Sequence, residues 1–102
     1  MVTQAQVTRL NLVQSKTSVA AAGVTFLYDN TTHVVNASKE VILCAGSIGS
    51  PQLLELSGIG NSSLLKGAGV KPIVDLPGVG ENMQEHIYVS LVRFVLSILP
   101  QD

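Results

Sequence analysis

The residues from Glu40 to Gly60 (EVILCAGSIGSPQLLELSGIG) constrain the fold of this chain more than any other stretch. Val41, Ile42, Leu43 and Cys44 form an uninterrupted apolar block, the pattern of a strand with both faces covered. Ala45, Gly46 and Ser47 follow with almost no side-chain bulk where such a strand would end. Leu53, Leu54 and Leu56 then make an apolar stripe, and Gly58 and Gly60 supply helix-stop chemistry. This predicts a strand running into a helix through a small-residue turn. In open α/β sheets ligands sit beyond the carboxyl ends of strands, so such a turn can bring backbone N–H groups close to a ligand. It can equally be a plain packing connection, and spacing leaves both readings open.

Before this stretch, Gln6 to Val13 alternates apolar and polar residues, which suits a half-buried strand. Val19 to Gly23 lead into Val24 to Tyr28, which are rich in β-formers, and Asp29-Asn30-Thr31-Thr32 is turn chemistry before a returning strand from His33 to Asn36. These residues predict a small antiparallel sheet, with His33 an exposed polar residue beside the turn. After the stretch, Asn61 or Ser62 is placed to cap a short helix through Lys66 that Gly67-Ala68-Gly69 ends. Val70 to Leu76 is expected to be extended around Pro72, and Pro77-Gly78-Val79-Gly80 to turn tightly. Glu81 to His86 is expected to make one helical turn, which would put Asn82 and His86 on one side.

With 102 residues the chain has room for one domain and a modest core. Six Lys and Arg against seven Asp and Glu give a net charge of −1, with no electrostatic footprint for nucleic acid or an anionic membrane. Hydrophobic residues make up 46%, so some apolar faces are expected to pack against something else or to drive self-association. The run from Ile87 to Leu99 is shorter than the roughly 20 residues of a membrane span and reads as a buried strand or an element missing its partner. Cys44, the only cysteine, rules out an internal disulfide or a paired-cysteine metal site and reads as a small buried hydrophobe. The first residues lack the basic region and apolar core of a secretory signal. Three Asn-X-Ser/Thr triplets, at Asn30, Asn36 and Asn61, nonetheless point to a secretory history for a parent protein.

Several chemistries are poorly served by these residues. Gly46-Ser47-Ile48-Gly49 does not fit a nucleophile elbow, and His33 and His86 lack metal-ligand spacing. His86 beside Glu85 or Glu81 could make an acid–base pair or a structural hydrogen bond. Gly58-Ile59-Gly60 and Gly78-Val79-Gly80 are GxG fragments without the third glycine and preceding strand of a dinucleotide fingerprint, which weighs against an NAD-binding domain.

The fifteen residues Gly46 to Gly60 (GSIGSPQLLELSGIG) closely resemble the second signature of the glucose-methanol-choline (GMC) oxidoreductases, flavoenzymes that include glucose oxidase and aryl-alcohol oxidase. Lys39 to Gly46 (KEVILCAG) and Asp75 to His86 (DLPGVGENMQEH) resemble the flanking family blocks in the same order. The resemblance covers residues 6–89 and leaves 90–102 as an unmatched tail. It implies a mixed α/β (α+β) chain, part of a GMC-type FAD-binding domain with a small antiparallel sheet followed by strand-turn-helix. Members of the family oxidise an alcohol by hydride transfer to the flavin, and a histidine near the C-terminus takes the hydroxyl proton.

By the same resemblance, Val7 corresponds to a valine whose backbone meets the adenine, and Ala45 and Gly46 to the turn near the adenosine diphosphate, flanked by Cys44. Asn82 and His86 fall in the block approaching the flavin and substrate. Glu85 departs from the family's usual aspartate. The family's three-glycine phosphate motif and late catalytic histidine have no counterpart in this sequence. The chain is therefore expected to be an inactive fragment of an FAD-dependent alcohol oxidase or dehydrogenase, with no catalytic residue of its own. The competing expectation is a non-catalytic truncated product or small interaction module.

Overall fold

The structure, a computed structural model, describes residues 1–88. Its first part is a three-stranded antiparallel sheet in the order β1 (Gln6–Gln14), β2 (Val19–Tyr28) and β3 (Thr31–Asn36). Ser15 and Ser18 close the first hairpin, the Ser15 N–H donating to the Ser18 carbonyl at 2.8 Å. The second hairpin has a two-residue loop, since Tyr28 pairs with Thr31. Asp29 and Asn30 both take the left-handed conformation there, φ 49° and 54°. Two-residue loops of that kind match the right-handed twist of a hairpin, and Asp and Asn tolerate it better than other side-chain-bearing residues. β1 is bulged at two places, between Val7 and Arg9 and between Asn11 and Leu12.

Gly23 does not lead into β2 but lies within it, opposite Asn11 on one side and Asn36 on the other. His33 lies across from Phe26 and stacks on its ring with centroids 5.4 Å apart, while Tyr28 meets it edge-on at 6.2 Å. The exposed polar residue expected at this place is thus part of an aromatic cluster on one sheet face.

The second part is a compact α/β turn unit. Helix α1 (Gly46–Leu56) packs against β1 and leads through Gly58 into β4 (Ile59–Gly60). Helix α2 (Ser62–Gly67) then crosses over to β5 (Val74–Asp75), which pairs with β4 in parallel. The expected cap is Asn61, whose side-chain oxygen accepts from the Ser63 and Leu64 N–H groups at 3.0 and 3.4 Å. At the other end Gly69, φ +75°, allows a Schellman closure. Its N–H donates to the Lys66 carbonyl at 3.1 Å and the Val70 N–H to that of Leu65 at 2.8 Å.

The two parts are joined by a small core. Among the described residues, Leu10 from β1, Leu53 from α1 and Leu65 from α2 are its buried apolar side chains. Ser57, also buried, clamps helix to sheet: its hydroxyl accepts from the Leu10 N–H at 2.8 Å and donates to the Leu53 carbonyl at 2.6 Å. The clamp satisfies a β1 edge N–H that would otherwise be buried without a partner, a condition that costs about 1–3 kcal/mol.

Two expectations fail. Val41 to Cys44 forms no strand among the described residues. Ile42 is 76% exposed and Cys44 is an exposed free thiol, so the fully covered strand and the buried cysteine are both corrected. An apolar run signals that a segment can be covered; becoming a strand also takes a hydrogen-bonding neighbour. Nor do Glu81 to His86 form a helical turn. Asn82 sits at φ 58°, outside the helical region, and all of these residues are exposed. One turn gains too few hydrogen bonds to offset its nucleation cost without packing. The strand expected over 87–99 lies almost wholly outside the described residues.

Asp75 ties β5 to the start of α2 by accepting from the Ser62 N–H at 3.0 Å. Hydrogen bonding from the Ser62 side chain and backbone holds its carboxyl below the ordinary value of 3.8, with a smaller contribution from Lys66. A lowered folded-state value means the contribution is complete above 3.8 and is lost as pH falls through the folded value. The Ser62 amide resonance should therefore stay constant from neutrality down to that point and move only in stronger acid. The Asp75→Asn variant should show no such titration.

Candidate functional site

Two open grooves flank α1. The first, about 500 Å3, lies between that helix and β1. Gln6, Val7 and Thr8 form one wall; Ala45, Gly49, Gln52, Leu53 and Leu56 form the other. Val7 and Leu56 remain 39% and 52% exposed, so both leave apolar surface facing the groove. The groove exists because β1 is an edge strand among the described residues, paired there with β2 on one side only, and because the Ser57 clamp holds the helix C-terminus against Leu10.

The helix start is shaped by small residues. Gly46 has φ +86°, and a Cβ there would meet nothing within 4 Å, so its backbone is bare to solvent. A Cβ on Gly49 would come within 3.2 Å of the Ala45 side chain, so glycine leaves Ala45 its place on the wall. The Ala45 N–H is taken by the Ser50 hydroxyl at 3.0 Å. The helix itself has no side-chain cap and no acidic residue in its first turn. Its first N–H groups and the positive end of its dipole thus face out uncompensated.

The second groove, about 330 Å3, runs along another side of the same helix and is lined by Ser47, Ile48, Pro51, Gln52, Glu55, Gly80, Glu81 and Met83. Glu55 threads between two glycines. Its Oε1 is 3.0 Å from where a Gly80 Cβ would be, and its Cγ is 3.2 Å from a Gly60 Cβ. The Pro77–Gly80 turn expected from sequence thus brings the chain against α1, and Gly80, at φ +79°, takes a backbone conformation that favours glycine.

Of the residues the resemblance points to, Val7 and Ala45 line the first groove together, though far apart in sequence. Gly46 and Cys44 flank Ala45, both exposed. Asn82 is elsewhere: it is exposed, in the segment whose neighbours Glu81 and Met83 line the second groove. His86 is exposed in a stretch that forms no helix, so the helical face expected to be shared with Asn82 does not form. Gln52, which lines both grooves, and Glu55 were not legible as site residues. The only sequence signal for Glu55 is the pair Gly60 and Gly80, spaced too widely to read without the fold.

Residues 1–88 match the model of the GMC oxidoreductase family. The chain belongs to that family. It is 52% identical over 87 residues to an oxygen-dependent choline dehydrogenase of Staphylococcus saprophyticus, covering 85% of this chain and 15% of that protein. It is 45% identical over 87 residues to the GMC oxidoreductase family protein Mala s 12 of Malassezia sympodialis, covering 83% and 14%. Among solved structures, an FAD-dependent oxidoreductase from Chaetomium thermophilum matches with TM-score 0.65 at 40% identity, over 76% of this chain and 13% of that one. Pyridoxine 4-oxidase from Mesorbium loti matches with TM-score 0.62 at 33% identity, over 72% and 13%. The chain thus spans about 15% of the length of the curated GMC relatives it matches. A small antiparallel sheet followed by a helix is the portion of the GMC fold it shares with them.

Proposed function

We infer that this chain is the part of an FAD-dependent GMC oxidoreductase that holds the adenosine side of the cofactor. The observation that carries the reading is the meeting of Val7 and Ala45 on one groove. Its composition fits a purine: Ala45, Leu53 and Leu56 offer apolar contact to a flat ring, while Gln6 and Gln52 offer hydrogen bonds at its edge. The uncapped start of α1, with Gly46 bare beside it, suits the anionic diphosphate that adjoins the adenosine. Leu53 and Leu56 would also exclude water from one face of the ring.

In the whole enzyme, FAD would supply the flavin that accepts a hydride from an alcohol such as choline. The residues described here bind and orient; none is placed to take the hydroxyl proton. The unpaired segment Val41–Cys44 would gain its strand neighbours from the rest of such an enzyme.

The test is an NMR titration of the 102-residue chain with FAD. Chemical-shift changes are expected to centre on Val7, Ala45, Gly46 and Gly49. Changes confined to β3, or none at millimolar FAD, would refute the assignment. In the same samples, anaerobic choline or benzyl alcohol should leave the yellow flavin colour unchanged; bleaching would show that the chain carries its own catalytic base.

A further inference from the structure

The three Asn-X-Ser/Thr triplets play no part in the proposed cofactor groove, and the structure sets them apart from one another. Three of the five asparagines begin such a triplet, although only 16 of the 102 residues are Ser or Thr. At that frequency random placement would give about one. Asn30 is exposed at the tip of the β2–β3 hairpin, at φ 54°, with Asp29 and Thr31 exposed on either side. Asn36 is exposed too, but it ends β3, where it pairs with Gly23 and is followed by the half-buried Ala37, whose N–H donates to the Ala22 carbonyl at 2.8 Å. Asn61 is half-buried and its amide oxygen is the cap of α2. The next residue, Ser62, donates its N–H to Asp75.

We propose that Asn30 is the N-glycosylation acceptor of this chain when it passes through a secretory pathway. A glycan is bulky and must project into solvent. At Asn30 it extends from an exposed two-residue loop, whereas at Asn61 it would load the amide whose oxygen caps the first turn of α2. In the transfer, the Asn30 side-chain nitrogen bonds to the anomeric carbon of a lipid-linked oligosaccharide diphosphate. The carbon–oxygen bond to the diphosphate breaks, the amide gives up one proton, and the lipid diphosphate leaves. This inference does not depend on the cofactor reading, since Asn30, Thr31 and Thr32 line neither groove.

The experiment is secretion of the 102-residue chain behind a leader from a eukaryotic host. Release of glycans by amidase in heavy-oxygen water then marks each occupied asparagine for peptide mapping. Asn30 should be the most occupied of the three sites. Thr32→Ala abolishes its triplet yet keeps Asn30 and its left-handed turn; it should remove roughly half or more of the glycosylated material, whereas Ser63→Ala, which keeps the Asn61 cap, should change it by about a tenth or less. An unmodified Asn30, or higher occupancy at Asn36 or Asn61, overturns the proposal.

Discussion

Replacing Gly23 by alanine should detach β3 from the sheet and lower stability by about 3 kcal/mol, the upper part of the usual range for overpacking. The cause is backbone crowding. A Cβ at this position would lie 2.1 Å from the Val35 carbonyl oxygen, 2.9 Å from Asn36 Cα and 3.0 Å from the Val35 carbonyl carbon. All three are main-chain atoms, so no rotamer change can relieve them, and β3 itself must move away. That movement breaks the pairing of Gly23 with Asn36 and the bond from the Ala37 N–H to the Ala22 carbonyl. Domains of this size are stable by only about 5–15 kcal/mol, and a core with three buried apolar side chains among the described residues belongs at the low end. Amide exchange should therefore lose protection across residues 31–37 while α1 and α2 keep theirs. Unchanged exchange in β3 and an unchanged urea midpoint would refute the account.

That position also marks the limit of what the amino-acid order discloses. Gly23 stands between Ala22 and Val24 and reads as the end of a lead-in, because glycine weakens a strand and no local pattern reveals a neighbouring backbone. The alternation at Gln6–Val13, the Asp29-Asn30 turn, the α1 stripe and the Asn61 cap were legible, because each is dictated within a few residues by sterics or hydrogen bonding. Val41–Cys44 and Cys44 itself were misread because coverage and strand pairing come from residues distant in the chain, and none pairs with them among residues 1–88. The candidate site divides the same way. Val7 and Ala45 came from family resemblance, and only the fold puts them on one groove. Gln52 and Glu55 had no local signature, because what singles them out is the return of Gly80 to the side of α1.

The second large effect is expected at Gly58, where β4 leaves α1. Gly58 has φ +88°, so any side chain there is strained by about 1–2 kcal/mol from the left-handed backbone alone. A Cβ would also sit 2.7 Å from the Lys71 carbonyl oxygen and 2.9 Å from Ile73 Cγ1. Ile73 could turn aside; the Lys71 carbonyl cannot move without dragging the bonds from the Ile73 and Val74 N–H groups to the Gly58 carbonyl, at 2.7 and 3.0 Å. Gly58→Ala should thus cost about 2–4 kcal/mol in total and open the β4–β5 pair. Gly67→Ala is the control, since a Cβ there meets nothing within 4 Å and the residue lies in α2. It should be neutral or stabilise by up to about 1 kcal/mol through helix propensity. Urea midpoints of the two variants decide the matter, and equal midpoints would remove Gly58 as a determinant of the fold. The consequence reaches the groove as well. Ser57 adjoins Gly58 and holds Leu10 of β1 to the end of α1, so displacing Gly58 loosens the clamp that keeps Val7 opposite Ala45. The variant should therefore also lose the FAD-dependent shifts at those residues, even at urea-free concentrations where α1 persists.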